Sequence, residues 1–294
     1  MFEKLFISIQ NIYYRHNKYL QKFSNNKTLL KLFRLAKFYL FYKIHKSKPS
    51  NIHFYSQNVE RVNAVSNILA DEKSKNIYNA MVKYRQTHSK KDFPISYYTE
   101  PSYFVEEIVS NFDKDEVFID CGAFNGDTID DFLKYCPEYN QIIAFEPENK
   151  LFEELKIKYK NNSKIMLLNE VLSDENNVVL FNVYDIPGGR LFDEKDAEKF
   201  KTMPIHSRAI DSLDLPKVTF IKMDIEGAEI GALKGAEKTI IRDKPKLAIC
   251  IYHSNEDMIY IAEYIHNIVP EYKFYVGQHA PYPYYDETVL YAVL

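Results

Sequence analysis

Glu116-Val117-Phe118-Ile119-Asp120-Cys121-Gly122-Ala123-Phe124-Asn125-Gly126-Asp127-Thr128 reads as a buried strand, a tight glycine turn and the start of a helix. Val117, Phe118 and Ile119 form the short apolar run that a parallel strand needs when helices cover both its faces. Asp120 then falls at the strand's carboxyl end, where an open α/β sheet binds ligands because helix N-termini and loop N–H groups collect there. Gly122 and Gly126 keep side chains out of a ligand's way. The spacing, D-x-G-x-x-x-G-D, is not the G-x-G-x-x-G of a dinucleotide cradle, and the carboxylates of Asp120 and Asp127 would repel a diphosphate. They suit a cationic, hydroxyl-rich ligand such as S-adenosylmethionine, which carries a sulfonium, an ammonium and a ribose. A structural turn with no ligand is the alternative.

A second strand, Gln141–Phe145, follows at the distance of one βα unit and closes in Glu146-Pro147. An acid at this point, about 20 residues after the glycine turn, is where this fold class holds a ribose diol. A third apolar strand, Val218–Met223, ends in Asp224, with Glu226 and Glu229 in the following turn and first helical turn. These carboxylates can position a methionine moiety, accept a substrate proton or bind a divalent cation. Glu229 is also favoured there simply by the helix dipole.

The 294-residue chain exceeds one average domain, which suggests an enlarged α/β domain with an N-terminal appendage. Its three cysteines, Cys121, Cys136 and Cys250, form no C-x-x-C pair, so neither a disulfide framework nor a zinc site is expected and a reducing cytoplasm fits. The net charge of -3 hides an asymmetry: residues 1–50 hold eleven Lys/Arg against one acid, Glu3, leaving 27 basic and 40 acidic residues in the remainder. No apolar run reaches transmembrane length and no signal peptide is read. From Lys27 to Lys46, Leu29, Leu32, Phe33, Ala36, Leu40 and Ile44 recur at helical spacing among basic residues. Such a helix can lie on an anionic membrane at its inner face, join two copies as a homodimer, or pack on its own domain. The acidic remainder argues against nucleic acid.

Pro49 and Ser50 are expected to break the helical pattern, which resumes as a helix pair over 59–85, with Leu69–Ser74 between its members. A helix is expected from Pro101 through Phe104, Ile108 and Val109. Beyond Glu146 the reading is a helix over Leu151–Tyr159, a strand over Ile165–Leu168 and a hairpin of that strand with Val178–Val183. A long loop spans Ile186–His206, where Arg190 can hold an anionic substrate. Lys246–Tyr252 reads as a strand ending at His253, Glu256–Ile268 as a helix, and Tyr272–Val276 with Thr288–Val293 as a terminal strand pair. Tyr282, Tyr284 and Tyr285 can form an aromatic wall for a sugar ring.

FIDCGAFNGDT, AFEPEN, FIKMDIEGAE, KPKLAICIYH and ETVLYA, in this order, resemble the FkbM family of S-adenosylmethionine-dependent methyltransferases. The resemblance implies a class I methyltransferase (Rossmann-like) fold, a seven-stranded sheet with an antiparallel last strand. The resemblance covers roughly residues 58–294; the methyltransferase domain is expected over 101–294, with residues 1–100 as a basic helical extension and cap. S-adenosylmethionine is then held by Asp120, Gly122, Ala123, Gly126, Asp127, Thr128, Glu146, Pro147 and Asp224. The implied reaction is O-methylation of a hydroxyl on a small molecule or glycan, here a sugar of a bacterial surface glycan or its nucleotide-sugar precursor. His253 or His279 is the expected general base. Asp224 and Glu226 orient the reactants or bind a metal, although no metal site is predicted, and Arg190, Glu229, Tyr282 and Tyr285 contact the acceptor. The family's usual Arg-His pair is Gln278-His279 here, so a contact from that Arg is not carried over. The rival classes are a non-catalytic binding module for glycan assembly and a nicotinamide-dependent oxidoreductase, the latter opposed by the acids in the turn.

Overall fold

The computed structural model describes residues 49–94, 102–183, 190–191, 201–280, 282 and 286–294. The predicted helix over Lys27–Lys46, with its membrane or dimer contact, and the predicted contact by Tyr285 lie outside these residues.

Helices α1 (Pro49–Gln57), α2 (Val59–Ile68) and α3 (Glu72–Thr87) come first. Helix α1 begins at Pro49, where at the first helical position the missing N–H costs nothing. Asp71 caps α3, its Oδ1 accepting from Ser74 N at 2.6 Å.

The chain then alternates: β1 (Val117–Cys121), α4 (Asp127–Tyr135), β2 (Gln141–Phe145), α5 (Asn149–Lys158) and β3 (Ile165–Leu168). An excursion follows, with β4 (Val171–Leu172), β5 (Asn177–Val183), β6 (Arg190–Leu191) and β7 (Lys201–Arg208). The alternation resumes through β8 (Phe220–Met223), α6 (Glu229–Lys234), α7 (Glu237–Asp243), β9 (Lys246–Cys250) and α8 (Asp257–Ile268). It closes with β10 (Lys273–Gln278) and β11 (Thr288–Val293).

The main sheet has seven strands in the order β10-β11-β9-β8-β1-β2-β3. β1, β2, β3, β8 and β9 run parallel, and only β11, the last strand, is antiparallel to both of its neighbours. The strand order reverses between β1 and β8, and the crevice beyond the carboxyl ends of strands at such a switch point is where this architecture takes ligands. Aromatic packing fixes these two strands: Phe118 stacks on Phe220 at 4.9 Å and on Phe132 of α4 at 4.8 Å. Helices α1 to α3 share the sheet's hydrophobic core through residues such as Tyr55, Val65, Ile77 and Met81. They pack by β10 and α8, with Ala70 N donating to Phe274 O at 2.8 Å, away from the crevice.

Three expectations are corrected. Residues 102–109 form turns instead of a helix, since Phe104 is spent on Phe220 while Tyr103 turns towards Asp224. The hairpin partner of β5 is β7 and not β3, because β3 takes its backbone partners from β2 in parallel register. The end of the expected loop over 186–206 is therefore strand β7, within a four-stranded second sheet of order β4-β7-β5-β6.

Candidate active site

The turn after β1 is shaped by backbone geometry before any side chain acts. Gly122 has φ +86°, and a Cβ there would stand 2.1 Å from Asp224 O, so only glycine lets the β1 and β8 loops meet. Gly126 (φ +79°) receives Tyr159, whose hydroxyl lies 2.8 Å from Gly126 O, so this glycine serves the packing of α4 on the chain after α5. Phe124 and Glu226 also have positive φ, 50° and 57°, and Glu287 follows at 71°. All three line one cavity, and such backbone strain persists where surrounding contacts over-determine it, commonly at functional sites.

That cavity has a volume of about 510 Å3, within the range of small-molecule sites. Gly122, Asp127, Thr128, Glu146, Pro147, Asp224 and Glu226, all expected from the sequence, line it. Phe145, Pro147, Val171, Leu172 and Phe181 give it an apolar side, and the last three belong to the second sheet.

Glu146 is 6% exposed, and its two oxygens accept from Phe124 N and Glu148 N, each at 2.8 Å. Burial nevertheless pushes its carboxyl up to about 7. Asp120 and Ala123, also expected at the cofactor, are both fully buried and lie outside the cavity lining. Asp120 sits inside β1, with Oδ1 at 3.1 Å from Lys222 Nζ on β8, and Lys222 donates to Gly122 O at 2.7 Å. Burial raises the Asp120 carboxyl to about 6 even against Lys222, while Lys222, whose charge burial opposes, is held protonated by Asp120 and Asp224.

At the other end, Asp224 Oδ2 accepts from Tyr103 Oη and Oδ1 from Tyr252 Oη, each at 3.0 Å. His253 follows β9, with its side chain 10% exposed. Its Nε2 lies 3.3 Å from Asp224 Oδ1 and 3.8 Å from Glu226 Oε2, and its Nδ1 lies 3.1 Å from Glu229 Oε1. Neither ring N–H points along these lines, so the contacts are ion pairs rather than hydrogen bonds. Burial works against charge on the imidazole, but the carboxylates outweigh it and push the ring up to about 11. Burial likewise works to raise Asp224, and His253 and Lys222 outweigh it and hold that carboxyl well below the usual range.

Four further expectations change. Glu229 is fully buried behind His253, and its Oε1 accepts from Ile225 N at 2.9 Å, so it holds the turn and is not available to an acceptor. His279 lies outside the lining, with Nε2 2.6 Å from Tyr291 Oη; that hydroxyl donates to Ser102 O, so Nε2 is engaged as its donor. Tyr282 also lies outside the lining and packs edge-on against Tyr84 and Phe93. The carboxylates around His253 favour its charged form, which disfavours it as the general base. Arg190 is placed only as backbone, in β6. Gln278 is fully buried and ties the β10–β11 turn, donating to Ala280 O and Asp286 O and accepting from Thr288 Oγ1.

Sequence reading missed Lys222, Tyr103, Tyr252 and Glu287. A lone cation inside the apolar run Phe220–Met223 was a legible sign of a buried partner. Tyr103 and Glu287 carried no local sign, since each reaches the cavity from a segment remote in sequence.

A parallel sheet reversed at its last strand, with an acid-lined crevice at the switch point, defines a class I methyltransferase. Residues 120–275 match the family model described as the Methyltransferase FkbM domain, and the chain belongs to that family. Methyltransferase FkbM from Methylobacillus flagellatus KT has a similar structure, with a TM-score of 0.68 and 25% identity over 82% of this chain and 60% of that one. The chain thus spans about three fifths of that relative's length. Fibrillarin of Aeropyrum pernix in complex with S-adenosyl-L-methionine matches at TM-score 0.37 and 13% identity, over 74% and 76% of the two chains. An rRNA methylase from Streptococcus thermophilus matches at 0.37 and 15%, over 64% and 90%. No curated protein matches the sequence.

S-adenosylmethionine is the cofactor that this family membership carries, and the crevice fits it. Glu146 presents a buried carboxylate to a diol, Gly122 removes the side chain that would block close approach, and the apolar side suits an adenine.

Proposed function

We propose that the protein is an S-adenosylmethionine-dependent O-methyltransferase acting on a hydroxyl of a sugar, in a surface glycan or its nucleotide-sugar precursor. The observation that carries this reading is one cavity at the sheet's switch point that brings Glu146 and the apolar Phe145, Val171, Leu172 and Phe181 together with Asp224, Glu226 and Glu287. The cofactor supplies an activated methyl group, so the protein's task is to align the acceptor and remove its proton. Glu146 holds the ribose, while Asp127 and Thr128 begin α4 beside it.

Among the described residues, the carboxylates of Asp224, Glu226 and Glu287 face the cavity as proton acceptors, in place of the two histidines expected from the sequence. Asp224 is a weaker base than Glu287, since His253 and Lys222 hold it ionised. Burial raises the Glu287 carboxyl, which also accepts from Ser102 Oγ at 3.1 Å, making it better matched to proton transfer. Polar, acid-rich lining suits a polyhydroxy acceptor, and no helix among the described residues is long and apolar enough to cross a membrane. A cytoplasmic site, with the basic residues 1–50 at the inner membrane face or in a homodimer contact, completes the proposal.

The test is calorimetric titration with S-adenosylhomocysteine of the wild type and Glu146→Ala, followed by transfer of labelled methyl to nucleotide sugars and glycans. Micromolar binding lost in the variant, with label recovered as a sugar methyl ether, is expected. Absence of binding by the wild type would favour the binding-module class instead.

A further inference from the structure

Three carboxylates converge on one imidazole in a manner that the transfer reaction alone does not require. Glu229 is fully buried and faces Nδ1, while Asp224 and Glu226 line the cavity and face Nε2. A histidine that binds a metal through one nitrogen commonly turns the other towards a buried carboxylate, which orients the ring and raises its basicity. His253 has Glu229 on its Nδ1 side at 3.1 Å, and its 10% exposed ring leaves both nitrogens without a hydrogen bond.

The spacing agrees. Donors bound at about 2.1 Å to one ion stand about 3.0 Å apart in octahedral and about 3.4 Å apart in tetrahedral geometry. Nε2 lies 3.3 Å from Asp224 Oδ1 and 3.8 Å from Glu226 Oε2. Donor atoms of Asp224, Glu229 and His253 all lie within 4.8 Å of one another, a set that Glu226 joins only through its 3.8 Å approach to His253 Nε2. Asp224 is further oriented by the Tyr103 and Tyr252 hydroxyls, as ligating carboxylates commonly are.

We propose that Asp224, Glu226 and His253 Nε2 form a divalent-cation site at the carboxylate end of the cavity, with Glu229 positioning His253 from behind. One histidine and two carboxylates with open positions suit Mn2+ or Mg2+, and more tightly a later first-row ion. The ion would take the acceptor hydroxyl as a ligand and lower its pKa, so that a weakly basic carboxylate suffices to remove the proton. This role for the site rests on the methyl-transfer reading, whereas the binding of the ion does not.

The test uses the full chain without cofactor, titrated with Mn2+ and followed by the electron paramagnetic resonance of free Mn2+ and by calorimetry. One equivalent is expected to bind. His253→Ala and Glu226→Gln should each weaken binding at least tenfold, and Glu229→Gln, which keeps the acceptor for Ile225 N, by about 10–100-fold. Glu153→Gln, on exposed α5, should leave it unchanged. No saturable binding, or equal binding by wild type and His253→Ala, would overturn the site. S-adenosylhomocysteine titration of the same samples separates the two readings: cofactor binding without Mn2+ binding sinks the cation site alone, and the reverse sinks the methyltransferase reading alone.

Discussion

Lys222 Nζ lies 3.1 Å from Asp120 Oδ1, both side chains essentially fully buried on register-paired positions of β8 and β1. The same ammonium donates to Gly122 O, so one ion pair joins the two strands and fixes the turn that opens the cofactor crevice. Removing one member of such a pair leaves an uncompensated buried charge. Lys222→Met is expected to cost about 3–5 kcal/mol, and the double variant with Asp120→Asn to recover most of that. Urea denaturation checks it, and an unaltered midpoint in the single variant would show that the pair holds nothing. Loss of cofactor binding in Asp120→Ala would likewise report a damaged turn, since Asp120 does not reach the cavity.

Glu146 gives the site a pH dependence. Its folded pKa of about 7 lies above the ordinary 4.5, so the folded state binds the extra proton between those values. The group's contribution to stability is therefore fully present below about 4.5 and lost as pH rises through 7. Cofactor affinity should run the opposite way, because the ionised carboxylate accepts both ribose hydroxyls. S-adenosylhomocysteine should bind about tenfold more weakly at pH 6 than at pH 8, the worth of one charge-assisted hydrogen bond. Glu146→Gln should bind weakly with a flat profile, and calorimetry at several pH values compares the two.

Glu226 adopts φ +57° without being a glycine. Relieving that backbone in Glu226→Gly is expected to raise stability by about 1 kcal/mol while lowering turnover, because the carboxylate leaves the cavity. Thermal unfolding alongside the methyl-transfer assay separates the two effects, and a lower melting temperature would show that the carboxylate's contacts outweigh the strain.

Two glycines should respond in opposite ways to alanine. Gly122→Ala drives a Cβ to 2.1 Å from Asp224 O and should abolish cofactor binding. Gly231→Ala meets nothing within 4 Å inside helix α6 and should stabilise by about 0.5–1 kcal/mol. Chemical denaturation and cofactor titration of both variants check the contrast.

The sequence by itself determined the parallel sheet and its order of elements. Apolar runs such as Val117–Ile119 and Gln141–Phe145 have few alternatives when helices must cover both faces, and the acids that close them, Glu146 and Asp224, fall at strand ends by the chain's own periodicity. Local spacing therefore located the crevice and part of its lining, Gly122, Asp127, Thr128, Glu146, Pro147, Asp224 and Glu226 among it. It could not rank the acids. Asp120 and Glu146 look alike in sequence, yet one lies inside β1 beneath the cavity and the other opens into it, because register against β8 buries the first and pairs it with Lys222. Only the tertiary structure brought Tyr103, Tyr252 and Glu287 to the site and set His253 between carboxylates, for those contacts depend on which distant segments the sheet order places side by side. Protonation follows from the same packing, since charge is decided by the neighbours that burial selects: carboxylates around His253 favour its charged form, and His279 turns Nε2 to the Tyr291 hydroxyl.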